Sequence, residues 1–162
     1  MNVADKDYLL DRLDQTHAAL HTLLTGADLE LQIYSDTGWR IRDILGHIAT
    51  WDRVVARSLR AFLAGDEYVI PDMEGDETDF NAEAVEKQRK LSSQEIVAEW
   101  EQAREVFKVA LSDIPADQFP GDLLYPWGDE RGSIPRMVEY MIEHDEEHGE
   151  EFAKALKARQ IE

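Results

Sequence analysis

Four stretches of this chain place apolar residues alternately three and four positions apart, and this constrains its fold more than any other feature. An apolar stripe at that period lies on one face of a helix and is hidden only by packing against another such face. The first stretch runs from Asp5 to Leu24, with Leu10, Leu13, His17, Leu20 and Leu24 on one seam and Gly26 as a stop. The second, Ile41 to Leu63, carries Ile41, Ile44, Ile48, Trp51, Val55 and Phe62; Gly65 ends it and His47 shares its apolar face. The third begins at Ser92, whose S-x-x-E spacing to Glu95 predicts a capping box, and it closes at Pro115. The fourth opens with Ser133 as N-cap and Pro135 in the first turn. Its seam reads Ile134, Met137 or Val138, Met141, His144, His148, Phe152 and Leu156.

Four helices with one stripe each predict an all-α four-helix bundle. The connection from Asp66 to Leu91 is long enough to cross the length of the bundle, with a short helical turn expected near Phe80 to Lys90. Strand signals are weak, and the best candidate is Glu67 to Ile70. A second long connection, Asp117 to Gly132, contains Tyr125, Pro126 and Trp127, which are expected at the rim of a pocket. No internal repeat or shift of composition marks a boundary, so residues 1–162 are read as one domain.

Composition narrows the function. The chain has no cysteine, which excludes disulfide scaffolds, thiolate metal sites and a catalytic cysteine. With 35 acidic and 17 basic residues the formal net charge is −18, a field that repels phosphate backbones, so no nucleic-acid partner is expected. No apolar run approaches the ~20 residues of a membrane span, so no membrane partner is expected either. The acidic start, MNVADKDYLL, has no leader-like character, and a cytoplasmic location is the expectation.

All five histidines fall on the first, second and fourth helical stretches, on or beside an apolar seam. A lone histidine there reads as a satisfied core residue; several that converge read as ligands. His144 and His148, four residues apart, share one helical face and can address one cation. A third imidazole from a facing helix would leave further coordination positions open, as in catalytic sites. By spacing alone His47 competes with His17 and His21 for that place. HDEEH differs from the zinc-protease H-E-x-x-H because Asp145 is one methylene shorter than the glutamate base, which argues against a protease. The paired Glu-x-x-His motifs of di-iron bundles do not occur, which argues against an oxygen carrier or oxidase.

GWRIRDILGHIATWD (Gly38 to Asp52), followed by EYMIEHDEEHGEEF (Glu139 to Phe152), resembles the DinB/YfiT-like superfamily. DFN (Asp79 to Asn81), before the third helix, fits the same pattern, so the resemblance covers essentially the whole chain. It implies up-down-down-up topology with the long crossover between helices 2 and 3. It implies a divalent metal, zinc or nickel, held by His47, His144 and His148, and leaves His17 and His21 as packed or surface residues. Arg40 departs from the pattern, standing where a Ser or Thr usually caps helix 2. The resemblance also implies a homodimer and relatives that use low-molecular-weight thiols (bacillithiol or mycothiol) as transferases or isomerases.

The expected function is therefore that of a metal-dependent enzyme activating a thiol cosubstrate or water against a small electrophilic substrate. Since the chain supplies no thiol, that group must come from a cosubstrate. Asp145, Glu147, Asp52 and Glu143 are candidates to orient the ligating imidazoles or transfer protons, and Trp51 and Asn81 are candidates to line the pocket. The rival reading is a non-catalytic bundle that binds a small molecule or dimerises, with a structural metal or none.

Overall fold

A computed structural model of the chain describes residues 3–71, 73 and 77–161. Residues 72 and 74–76 of the predicted crossover, and 1, 2 and 162 at the ends, lie outside the described residues. Five helices and a two-stranded ribbon follow one another: α1 (Val3–Leu24), α2 (Ile41–Leu63), α3 (Thr78–Gln88), α4 (Ser93–Ser112), β1 (Asp122–Leu124), β2 (Arg131–Ser133) and α5 (Ile134–Ile161). The bundle helices are α1, α2, α4 and α5, and α3 is the helical piece expected within the crossover, longer than a single turn.

Cross-helix pairs fix the directions. Arg53 of α2 meets Glu99 of α4, and further along both helices Arg60 meets Asp113, so α2 and α4 run parallel. Lys6 reaches the carbonyls of Ser112 and Ile114 while His17 meets Glu101, so α1 runs against α4. Ser58 approaches Met137 and His47 approaches His144, so α2 runs against α5. The order is up-down-down-up, which requires the long crossover between α2 and α4.

Local chemistry sets the ends. Arg40 is the N-cap residue of α2 and offers no side-chain acceptor, so only the reciprocal half of a capping box forms: the Asp43 carboxylate takes the Arg40 backbone N–H at 2.9 Å. Ser92 Oγ accepts the Glu95 N–H at 3.1 Å, and the Ser92 hydroxyl donates to the Glu95 carboxylate. Ser133 Oγ accepts the Arg136 N–H at 3.2 Å.

The strand expected at Glu67 to Ile70 does not form. Instead Ile70 N–H donates to the Pro126 carbonyl at 2.9 Å, pinning the crossover to the loop before α5. The strands are β1 and β2, antiparallel with Leu123 opposite Gly132. Their register depends on Gly132: a Cβ there would lie 2.3 Å from Tyr125 Oη, whose hydroxyl donates to the Ser133 carbonyl at 2.8 Å.

A polar layer divides the interior. Leu13, Val55, Leu59, Phe107, Ile114 and Met137 belong to one apolar cluster; Leu20, Ile44, Ile48, Trp100 and Phe152 belong to another. Between them Arg104 of α4 bonds Asp52 of α2 and Asp145 of α5, and donates to the Leu13 carbonyl of α1. Thr16 of α1 donates to Asp145 at 2.6 Å. One buried guanidinium on α4 thus bonds the other three bundle helices.

Candidate metal centre

Antiparallel packing of α2 and α5 brings three imidazoles together. His144 Nε2 lies 2.9 Å from His47 Nε2 and 3.1 Å from His148 Nε2. This is the one group of three or more metal-ligating side chains with mutually close donor atoms among the described residues. His47 and His148 are 7% and 8% exposed.

Second contacts fix which nitrogens face inward. A carboxylate only accepts, so His148 Nδ1–H donates to Glu151 Oε1 at 2.5 Å and leaves the Nε2 lone pair bare. Tyr34, from the loop before α2, donates its hydroxyl to the same carboxylate at 2.7–2.8 Å. Burial, followed by this contact with Glu151, raises the Tyr34 phenol above its usual range. Burial pushes His47 down to about 2, aided by the neighbouring His144 and His148, and it pushes His144 down to about 3. Both rings are therefore held neutral, the form that ligates metal.

The donor set fits a cation. Three nitrogens on a tetrahedral ion with bonds of ~2.0–2.1 Å stand roughly 3.3 Å apart; two of the observed separations, 2.9 and 3.1 Å, are close to that, and all three donor atoms lie within 4.8 Å of one another. Without an ion the arrangement is poorly satisfied: His144 Nε2 carries at most one proton to share between two neighbouring nitrogens. The triad could hold a metal ion on neutral imidazoles.

One side of the triad opens into a cavity of about 490 Å³. Trp51, Trp127 and Tyr140 form its aromatic wall, and Glu77, Glu130, Glu143 and Glu147 supply carboxylates. Asn81, on α3, also lines it and accepts the Trp51 indole N–H at 2.8 Å. The expected rim residues divide: Trp127 faces the cavity, while Tyr125 is buried beneath the ribbon.

Other expectations change. Asp52 and Asp145 do not orient the imidazoles; both are buried on Arg104 in the polar layer. Burial and the neighbouring Asp145 push Asp52 up to about 6 against the pull of Arg104. The seam spacing carried this signal, since Asp145 continues the Val138, Met141 progression and precedes His148 and Phe152, while Asp52 lies between Ile48 and Val55. Glu143 and Glu147 line the cavity, with Glu143 also pairing with Arg136 at 3.0 Å. Glu151 and Tyr34 are the partners that sequence reasoning missed; Glu151 was visible as an i+3 neighbour of His148. His17 and His21 point elsewhere. His17 stacks on Trp100 with ring centroids 4.0 Å apart, and both histidines pair with Glu101, at 3.1 and 3.7 Å.

A four-helix bundle with a facing histidine triad beside a cavity defines a class of small helical proteins able to hold a metal ion. The chain belongs to the mycothiol maleylpyruvate isomerase N-terminal domain family of the DinB-like superfamily: that family's sequence model matches residues 10–137. The matched span includes His47 and ends before His144 and His148. A crystal structure of an uncharacterised protein from Escherichia coli UTI89 is similar, with a TM-score of 0.73 at 19% identity, covering 96% of this chain and 94% of that one. At that identity the likeness speaks for the fold alone. No curated protein matches the chain.

Proposed function

We propose that the chain is a metal-dependent enzyme in which His47, His144 and His148 hold a divalent ion, zinc or nickel, against a small-molecule substrate. The observation that carries this reading is the convergence of three Nε2 atoms on the wall of an open cavity. A divalent ion bound there would lower the pKa of a water or cosubstrate thiol towards ~7 and polarise an electrophile. The chain's own residues do the rest. Glu151 and Tyr34 hold the His148 ring so that Nε2 faces the cation. Glu147, on the cavity wall, takes up the proton released on activation. Trp51, Trp127 and Tyr140 exclude water from one side of the substrate. A thiol, where one is used, comes from a low-molecular-weight cosubstrate, because the chain has no cysteine. The family supports this class of cosubstrate, since its description names mycothiol.

A closed, structural metal site is the rival. It would need a fourth protein ligand, and the two remaining histidines are engaged with Trp100 and Glu101 on another side of the bundle. Metal content of tag-free protein purified without added metal tests the proposal. The expected result is about one divalent ion per chain in the wild type and in His17→Ala/His21→Ala, and loss in His47→Ala. Wild type without metal, and with a Tm unmoved by zinc or nickel, would overturn it.

A further inference from the structure

The cavity beside the triad has a one-sided charge. Four carboxylates line it, and no lysine or arginine does among the described residues. Glu130 is fixed by its neighbours, accepting from Trp127 Nε1 at 3.2 Å and from the Tyr140 hydroxyl at 3.0 Å. These bonds hold the carboxylate against two rings of the aromatic wall without neutralising it. Arg136 pairs with Glu139 and with Glu143, offsetting one of the four lining carboxylates, and lies 4.1 Å over the Tyr140 ring. With a divalent ion on the three imidazoles, Glu130 and Glu147 still place two carboxylates on the lining of the cavity.

The wall itself is a corner of electron-rich faces. Trp51 and Trp127 meet with centroids 6.3 Å apart at 62°, and Trp127 and Tyr140 at 5.8 Å and 70°. Rings set at such angles present a face and an edge to the same space. A ring face attracts a cation through its quadrupole, most strongly for tryptophan, and adjoining carboxylates add to that attraction. Away from the triad an anion meets the opposite: repulsion from the aromatic faces, from the carboxylates, and from a chain of net charge −18.

We propose that this cavity selects a small organic cation, a substrate or cosubstrate bearing a substituted ammonium group, which rests against the Trp51–Trp127–Tyr140 corner with its reactive end towards the triad. This deepens the metalloenzyme reading and rests on it for the word substrate, but the charge selectivity belongs to the cavity itself. It disfavours thiols and electrophiles whose own carboxylates or phosphates would enter the site.

The test uses three probes of nearly equal shape: choline, its neutral isostere 3,3-dimethyl-1-butanol, and the anion 3,3-dimethylbutanoate. Tryptophan fluorescence reports binding, on metal-free and zinc-loaded protein in parallel. Choline is expected to bind about tenfold or more tightly than the alcohol in both forms, with no saturable signal from the anion on the metal-free protein. Glu147→Gln/Glu143→Gln should remove most of the preference for choline over the alcohol while leaving the Tm near the wild-type value. Equal binding of choline and the alcohol, tighter binding of the anion to the metal-free protein, or an unchanged preference in the double variant would overturn the inference. If zinc does not bind, the metalloenzyme reading fails while the metal-free titration still decides charge selectivity. If zinc binds and choline does not, the metal centre stands and the cation-selective cavity falls.

Discussion

Arg104 Nη1 lies 2.8 Å from Asp145 Oδ2, and the residue just before Asp145 on α5, His144, supplies the imidazole central to the triad. The same guanidinium bonds Asp52 on α2, the helix that carries His47. The polar layer therefore fixes the two ligand-bearing helices relative to each other. Arg104→Met would leave two buried carboxylates facing each other without a cation. Breaking a buried ion pair from one side costs about 3–5 kcal/mol, and equilibrium urea unfolding should show a loss of that size. Replacing Arg104, Asp52 and Asp145 together by apolar residues of similar volume should recover much of it, because no charge is then stranded.

Glu151 is the acceptor for His148 Nδ1–H, so it sets the direction of that ring's Nε2. Loss of such an outer contact weakens metal affinity about 10- to 100-fold in comparable sites. Glu151→Ala is expected to weaken zinc affinity in this range, measured by competition with a chromogenic chelator. Tyr34→Phe removes one hydrogen bond to Glu151 and leaves the carboxylate in place, so its effect should be the smaller of the two.

Acid should destabilise the metal-free protein. His47 and His144 have folded pKa values of about 2 and 3, below the 6.5 of an unfolded chain. Unfolding then takes up protons wherever the pH is below about 6.5, so stability is full above that value and falls as the pH drops. The slope is about 1.4 kcal/mol per pH unit for each histidine. Asp52 works in the opposite sense. Its folded value, raised to about 6 from 3.8, favours the folded state on acidification between those limits and offsets one histidine there. Urea midpoints should fall from pH 7 to 6 and again from pH 6 to 5, with the larger drop in the second step, where the unfolded histidines are almost fully protonated. A midpoint that rises towards pH 5 would contradict the burial of both imidazoles.

Zinc should raise stability at neutral pH, because an ion that binds only the folded state adds stability that grows with its concentration above the dissociation constant. Urea midpoints at pH 7 should rise with zinc in the wild type and stay fixed in His47→Ala.

Much of this was legible along the chain. Helix period, the Ser92 and Ser133 caps and the His144/His148 pair are local properties, set by side chains within about one turn of each other. Pairing His47 with them is not local. By spacing His17 served equally well, and resemblance to a family supplied the choice that the packing of α2 against α5 makes physically. The carboxylates are more instructive. The neighbourhood of Asp52 and Asp145 in sequence points to the metal ligands, yet each sits on a buried seam where only a facing cation makes it tolerable. That cation, Arg104, comes from a third helix.

The sequence by itself determined four amphipathic helices, a chain without thiols, an acidic surface and two imidazoles on one face. The tertiary structure alone decided what those helices hold between them. It turned His17 towards Trp100 and His47 towards His144, gave the Glu151 and Tyr34 side chains to His148, and placed aromatic rings and glutamates around the opening. The division has a simple cause. Helix periodicity is written in side chains a few residues apart, whereas a site is a meeting of residues from different helices, fixed only when their faces are packed and every buried charge has found its partner.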